Sequence, residues 1–396
     1  MNGNVFPTSY MGLRGAIQVS VLQRGRVLLR RPPQRNLILN QGLDQFGSTT
    51  LLSCLAYMTI GTGSTATEVD SGAVNISTAS GLLTAGSTGF LAGDSTDVGK
   101  TFKMKNLGSV YQVTAPSSTT QCTVTPTTTA GPDTFILYHT QQTGLEAEIA
   151  GQRSASYLAE VGANGSSTVA GVTTHMRTYN GLAQTVACAI NEIGFSPSAT
   201  ETTNLFSRIK LSEPLSLDVG QRLQVIYRVE VLVSPVTPLT YATSPIGGWA
   251  SGTGTLQHSI IPSDYVSSVD GSAAFGVNSA DGLRYSSVFE PKSINNISVR
   301  LDTDSSAHPT YGSLVSTAGT TEDAVASLST YVLGSYTRDK QATFVEAYGN
   351  RSDWRSYYLY QGVVGSGPRF LFDSAQAKSD SYVLTLGVRT TWGRTL

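Results

Sequence analysis

The chain has 396 residues, a formal net charge of −1 and only 13% charged residues, about half the share found in ordinary globular domains. Its 40 glycines and its many Ser and Thr residues favour strands and turns, whereas Lys and Glu, which favour helices, are scarce. This composition argues against a helical bundle, a standard α/β enzyme and a nucleic-acid binder that works through bulk charge.

The cysteines and the lengths of the apolar runs indicate the cellular compartment in which the chain is expected. Cys54, Cys122 and Cys188 are far apart and form no CxxC motif, which favours buried free thiols in a reducing cytosol. No run approaches the roughly 18 apolar residues of a membrane span, and the opening MNGNVFPTSY is not typical of a signal peptide. The low surface charge favours a large contact with partners, because charged residues are depleted in the cores of interfaces.

The first forty residues are rich in arginine, and neither a lysine nor an acid precedes Asp44. Short apolar runs separate the arginines, so the pattern predicts an arm or hairpin with an Arg-rich face. This face suits either phosphate or the acidic groups of a neighbouring subunit, and the second is favoured because Arg makes bidentate contacts at interfaces. The candidate assembly contacts are Arg24, Arg26, Arg30 and Arg31. The next segment, NLILNQGLDQFG (residues 36–47), predicts a turn followed by one helical turn.

The middle of the chain alternates between strand and turn signals. Residues 55–72 predict a strand that runs into a Gly/Ser/Thr loop. Residues 86–143 contain short Thr-rich segments bounded by Gly, Pro or Ser, which is the pattern of a small all-β module. In RLQVIYRVEVLV (residues 222–233) the apolar side chains alternate and share one face. They are Leu223, Val225, Tyr227, Val229 and Val231.

Prolines after residue 233 indicate a domain boundary, and further strands follow. Residues 321–328 begin with a capping Thr and two acids, which predicts a short helix. The last segment predicts a strand inside a sheet, whose apolar face carries Tyr382, Leu384, Leu386, Val388 and Trp392. The predicted fold is all-β, with β-sandwich domains, a small inserted β module and few short helices. Its units are an N-terminal arm or hairpin for assembly (1–50), a β-sandwich (51–85 with 144–235), an inserted module (86–143) and a C-terminal β domain (236–396).

No motif for catalysis or metal binding stands out. Gly93 and Gly99-Lys100-Thr101 resemble a phosphate loop, but five residues separate the two glycines where that motif has four. The four histidines lack zinc spacing, and no GxSxG is present. Glu146 and Glu148 suit an exposed strand face better than a pair of glycosidase carboxylates. We therefore expect a protein that is not an enzyme and that uses no cofactor and no metal.

An aromatic cluster near the C-terminus has two interpretations. Trp354, Tyr357, Tyr358 and Tyr360 lie close together in the sequence, and alternation puts Tyr358 and Tyr360 on one side of a strand. Packing inside a sheet is the ordinary role of such residues. A platform on which sugar rings stack is the sharper alternative, because aromatic faces combine apolar area with a polar tip. The candidate glycan contacts are Trp354, Tyr358 and Tyr360.

Three segments carry a resemblance to a known class of proteins. NLILNQGLDQFG followed by LAYMTIGTGSTAT resembles the opening of many tailed-bacteriophage virion proteins, where N-L-x-x-N-x-G-L-D precedes x-x-x-x-G-T-G. DVGKTFKM…YQVTAPSSTTQCTVTP is similar to small β modules of phage tail and fibre proteins. The ending in Trp-Gly-Arg resembles the strand that closes such proteins. The resemblance implies a tail, baseplate or neck component and supplies no catalytic residues.

The expected function is therefore that of a structural component of the virion, assembled in the cytoplasm of a bacterial host. It would act as a homo-oligomer, either a trimer, a hexamer or a dodecamer, and would dock onto other virion proteins. Two alternatives stay open. One is a fibre or receptor-binding protein that binds a host-surface glycan, and the other is a capsid or neck decoration protein. Neither a membrane span nor bulk nucleic-acid binding is expected.

Overall fold

In a computed structural model the described part of the chain is mostly β-strand, which confirms the all-β class. The structure describes residues 2–5, 7–49, 51–87, 90–157, 165–169, 172–233, 236–241, 252–258, 297–303, 321–361, 368–381 and 383–396.

Among the residues that the structure describes, the helical elements are few and lie in the first quarter of the chain. They are α1 (Asn40–Ser48), α2 (Leu51–Cys54) and a 3-10 turn (Ser95–Asp97). The strands up to the middle of the chain are β1 (Asn2–Val5), β2 (Thr8–Gln23), β3 (Arg26–Arg30), β4 (Gln34–Ile38), β5 (Tyr57–Gly61), β6 (Glu68–Ala79), β7 (Leu82–Ala85), β8 (Thr101–Met104), β9 (Val110–Pro116), β10 (Gln121–Thr125), β11 (Ala130–Tyr138), β12 (Ser154–Tyr157) and β13 (Gly165–Val169). The remaining strands are β14 (Val172–Asn180), β15 (Cys188–Ser196), β16 (Ser207–Leu217), β17 (Gln221–Val233), β18 (Val236–Tyr241), β19 (Gly252–His258), β20 (Ile297–Asp302), β21 (Thr321–Val325), β22 (Ser327–Leu328), β23 (Thr337–Phe344), β24 (Arg351–Gln361), β25 (Pro368–Lys378) and β26 (Val383–Arg394).

Eight antiparallel strands close into a ring, in the order β2, β17, β14, β12, β5, β15, β16 and β4, with β4 returning to β2. Six further strands extend this ring to a sheet of 14. The largest hydrophobic cluster fills the ring. The five alternating apolar residues predicted for β17 all belong to it, and each is 0% exposed. Closure removes the open edges that would otherwise invite uncontrolled pairing.

The predicted N-terminal arm or hairpin over residues 1–50 is limited to the hairpin of β2 and β3, because β2 itself is a core strand of the ring. β2 pairs with β17 from Met11 to Gln23, and its apolar residues lie in the core of the ring. Arg14 and Gln18 alternate with these apolar residues, as expected for a strand with one face in solvent. The strand β3, which pairs with the end of β2, is exposed along its length.

The predicted helical turn is confirmed and extends to the nine residues of α1. α1 closes one end of the ring core, where the edge of Phe46 meets the ring of Trp392 at 6.1 Å between centroids. The indole N–H of Trp392 donates a hydrogen bond to the carbonyl oxygen of Leu43 at 2.8 Å. Residues far apart in sequence therefore fix the position of α1.

The inserted module is a closed six-stranded barrel in the order β10, β7, β6, β11, β8 and β9, with its own apolar core. It lies in the chain between β5 and β12, but it begins at Glu68 and not at residue 86. Residues 68–85, which sequence analysis gave to the sandwich, therefore belong to the barrel. The strand character of β6 is weak in the sequence because two of its three buried residues, Ser71 and Thr78, carry hydroxyl groups.

Residues 236–396 do not form a separate domain. β18, β19, β25, β24, β20 and β21 form a six-stranded sheet, whereas β23 and β26 belong to the large sheet. The two sheets share one apolar core, and β26 runs parallel to β1 and β2. Alternation predicted the buried face of β26 correctly, since Leu384, Leu386, Val388 and Trp392 are at most 1% exposed. Tyr382 lies outside the described residues.

The predicted helix at residues 321–328 is wrong. Thr321–Val325 is the strand β21, which pairs with β20, and Ser327–Leu328 is the strand β22. The acid that was expected to favour a first helical turn, Asp323, is instead bound by the guanidinium of Arg300 on the neighbouring strand. Partners distant in sequence outweigh the local helix signal here.

Candidate functional site

The hairpin of β2 and β3 turns at Arg24-Gly25. Both residues have positive φ, 49° for Arg24 and 80° for Gly25, which is the requirement of a type I′ turn. Asn or Asp is the usual residue at the first position, because a Cβ atom costs steric energy there and their short polar side chains offset it by hydrogen-bonding to the nearby backbone. An arginine at this strained position indicates that its side chain serves a purpose other than the turn.

The strand β3 is exposed along its whole length. Val27, Leu28 and Leu29 are 48%, 53% and 44% exposed, so three consecutive large apolar side chains face solvent. Leu29 pairs with Val21 and Val27 pairs with Leu22, which makes Leu28 the extra residue of a β-bulge. A bulge increases the local twist and bends the strand. Within the described residues, β3 pairs only with β2, so its outer edge is open.

The four predicted arginines lie on this hairpin or directly after it. The guanidinium of Arg31 donates to the carbonyl oxygens of Glu213 and Pro214, the latter at 2.8 Å, and so ties the base of the hairpin to β16. Arg24, Arg26 and Arg30 form no ion pair with any residue that the structure describes. We call residues 24–31 the arginine hairpin. It joins cationic and apolar side chains on one projecting element.

The aromatic cluster is part of a core, so the prediction of glycan contacts at Trp354 and Tyr358 is wrong. Both side chains are 0% exposed, as is Tyr357. The indole N–H of Trp354 donates to the carbonyl oxygen of Gly349 at 2.8 Å. Burial raises the pKa of Tyr358 to about 12. β24 pairs with β20 and β25 along its two edges, and neither Trp354 nor Tyr358 offers an exposed ring to a sugar.

The third candidate glycan contact, Tyr360, lies on β24 opposite Ser298. Its side chain falls outside the part of the structure that is described, so its role stays a prediction.

A buried ion pair, which the sequence analysis missed, lies where the ring meets the barrel. Arg208 Nε and Glu192 Oε2 are 2.8 Å apart, and both side chains are 0% exposed. The Glu192 carboxylate also accepts hydrogen bonds from the backbone N–H groups of Gly63 at 3.1 Å and Ala147 at 2.9 Å. Arg208 donates to the carbonyl oxygen of Thr65 at 3.1 Å. The pair therefore holds both chain segments that enter and leave the barrel. The sequence signal that could have indicated this pair is Glu192 itself, a single acid within the otherwise uncharged strand β15.

Glu146 and Glu148 do not form a catalytic pair, because each has its own partner. Glu146 accepts a hydrogen bond from the backbone N–H of Thr65 at 2.7 Å, which lowers its pKa. Glu148 is bound by both ends of the Arg153 guanidinium at 2.7 and 2.9 Å. Burial alone would raise the pKa of Glu148, but these hydrogen bonds outweigh burial and lower it. A glycosidase acid needs a raised pKa, so neither carboxyl suits that role.

The segment that resembles a phosphate loop is occupied by a carboxylate of the chain itself. Lys100 Nζ lies 2.6 Å from Asp97, and both side chains are buried. Asp97 also accepts the backbone N–H groups of Ala92 at 3.0 Å and Gly93 at 2.7 Å. The lysine and the N–H groups that would cradle a phosphate therefore stabilise the barrel.

Across the residues that the structure describes, no group of three His, Cys, Asp or Glu side chains is arranged to hold a metal ion. Over the same residues, no helix is long and apolar enough to cross a membrane. No family model, curated protein or solved structure matches the chain. Its function therefore has to be inferred from its own surfaces.

Proposed function

We propose that this chain is a structural component of a bacteriophage particle, which assembles by docking the arginine hairpin onto a neighbouring subunit. The observation that carries the proposal is the exposed run Val27–Leu29 with Arg24, Arg26 and Arg30 around it. Three adjacent apolar side chains that are each about half exposed bury little area in a core, and exposed apolar patches mark interaction sites. Arginines that lack an internal partner supply the polar part of the contact.

The assignment to a phage particle rests on the resemblance of three sequence segments to tailed-phage virion proteins. Two of these segments meet in the fold, since Leu43 of α1 accepts the hydrogen bond of Trp392 in β26. The third supplies strands of the barrel. The resembling segments thus belong to the framework of the molecule, which supports a shared architecture.

The sequence of β3 favours one type of contact. Two copies of Arg-Val-Leu-Leu-Arg paired antiparallel over all five residues would set Arg26 opposite Arg30 twice, and like charges opposite each other are destabilising. A symmetric pairing of β3 with itself is therefore disfavoured. We expect a heterologous contact with an acidic surface of the next subunit. Contacts of this type close into rings when the rotation between subunits allows it.

The test is the mass of the purified chain in solution, measured by light scattering over a range of concentrations. We expect a trimer, hexamer or dodecamer for the parent chain and a monomer for the variant Arg26→Glu/Arg30→Glu. A control with the same change of charge elsewhere, Lys105→Glu/Arg351→Glu, should keep the oligomer. Circular dichroism would verify that all three are folded. A monomeric parent chain, or an oligomer that survives the hairpin variant, would contradict the proposal.

A further inference from the structure

A cleft of about 1020 Å³ lies between the outer face of the ring and the barrel, and it involves no residue of the arginine hairpin. Its floor is formed by parts of β2, β4, β16 and β17. Its opposite wall comes from residues 64 and 66–68 and from Ile136 and Tyr138 of β11. The volume is at the upper end of the range of about 300–1,000 Å³ for small-molecule sites.

A row of cations crosses the floor of this cleft. Ala16 of β2 pairs with Arg35 of β4 on one side and with Arg228 of β17 on the other. Residues in register point to the same face of a sheet, so both guanidinium groups rise beside the small side chain of Ala16. With strands about 4.8 Å apart, the two arginines lie about 10 Å from each other at the backbone. Lys210 lines the cleft from β16, the next strand after β4.

The charge of this row is only partly offset by its surroundings, because one further acid, Glu68, lines the opposite wall of the cleft. Arg35, Arg228 and Lys210 form no ion pair with any residue in the described part of the chain. Arg14 also lines the cleft, but it is paired with Glu230. These three cations outnumber Glu68, and low-dielectric walls focus the field of a concave site, so the cleft attracts anions although the whole chain carries a net charge of −1.

We propose that this cleft binds an acidic oligosaccharide, a chain of sugars with carboxylate or sulfate groups that meet the cation row. Hydroxyl groups at Ser64, Thr67 and Ser212 line the cleft and match the hydroxyl-rich remainder of such a ligand. Antiparallel ladders on both sides use the backbone groups of β2 in the floor, so a peptide cannot add to it as a further strand. Tyr138 is 7% exposed and offers no open ring on which a nucleic-acid base could stack.

The proposal can be tested with fluorescently labelled tetragalacturonate, and with the neutral galactose tetramer as the comparison ligand. We expect anisotropy titrations to show saturable binding of the acidic probe only, with an affinity that falls as salt is added. The variant Arg35→Gln/Arg228→Gln should lower the affinity about a hundredfold, since each lost charge-assisted contact costs about tenfold. Arg222→Gln is the matched control, because Arg222 is exposed on the same face of β17 but does not line the cleft.

Three results would overturn this inference. They are an absence of binding at low salt, an equal loss of affinity in the Arg222→Gln control, and tighter binding of a labelled oligonucleotide or poly-glutamate peptide than of the sugar. Because the cleft and the arginine hairpin share no residue, the oligomeric state of the double variant should match that of the parent chain. The two proposals can therefore fail independently.

Discussion

The buried pair of Glu192 and Arg208 leads to a quantitative prediction about stability. Each residue is 0% exposed, and together they hold the segments that connect the ring to the barrel. The informative perturbations remove one partner at a time. Arg208→Met keeps much of the volume of the side chain but deletes the positive charge, and Glu192→Leu deletes the negative charge.

The contacts determine the expected order of the two effects. Loss of one partner from a buried ion pair costs about 3–5 kcal/mol. After Arg208→Met, the Glu192 carboxylate keeps the backbone N–H groups of Gly63 and Ala147, so we expect a cost of about 3 kcal/mol. Glu192→Leu also leaves those two N–H groups without an acceptor, each worth about 1–3 kcal/mol, so we expect about 5 kcal/mol or more.

Urea unfolding followed by tryptophan fluorescence would measure both changes in the free energy of unfolding. The matched control is Arg389→Met, because Arg389 forms a similar pair with Asp339 but has 47% of its side chain exposed. An exposed pair is worth about 0–1 kcal/mol. The reasoning is refuted if Arg208→Met stays within about 1 kcal/mol of the parent chain, or if the control costs as much as Arg208→Met.

Three further changes test other parts of the molecule. Trp354→Ala should cost about 3–5 kcal/mol in chemical denaturation, because it empties a core site that is 0% exposed. Burial alone would raise the pKa of Asp97, but hydrogen bonds from Lys100 and from backbone N–H groups outweigh burial and hold it below 3.8. A lowered pKa stabilises the fold above pH 3.8 and ceases to do so as pH falls through the folded value. Asp97→Asn should therefore lower the melting temperature at neutral pH and approach the parent chain in strong acid. Arg24→Asn should raise stability by on the order of 1 kcal/mol in thermal melts, since Asn tolerates positive φ, and should weaken assembly in light scattering.

Each of these has a result that would count against it. A Trp354→Ala variant with unchanged stability would mean that this core is not close-packed. A difference between Asp97→Asn and its parent that stays constant with pH would remove the ionised carboxylate as the cause. A loss of stability in Arg24→Asn would show that the arginine contributes to the fold itself, and would weaken its assignment to an interface.

Local patterns in the sequence were sufficient for the all-β class and for the buried faces of β17 and β26. The reason is that a strand has a side-chain period of two, so alternation by itself tells which residues face a core. Alternation does not tell which strands pack together around that core. The sequence was therefore compatible with an N-terminal arm and a separate C-terminal domain, although β2 and β26 are in fact neighbours in one sheet.

Some features of the candidate sites could be predicted from the sequence, and others could not. The arginines of the hairpin were recognisable because a dense run of one residue type without acids is visible in any short window of sequence. The exposure of Leu28 and the burial of Trp354 were not recognisable, because a side chain is covered or uncovered by strands that are distant in sequence.

The sequence by itself determined the strand-rich class, a helical turn within residues 36–47 and the alternation that marks core faces, because all three depend on neighbouring residues. Only the tertiary structure decided the closure of the ring, the start of the barrel at Glu68 and the meeting of Glu192 with Arg208. It also brought Arg35 and Arg228 to the two sides of Ala16. Strand pairing and ion pairing join groups that are far apart along the chain, and their free energy depends on burial and distance, which are defined only once the chain has folded.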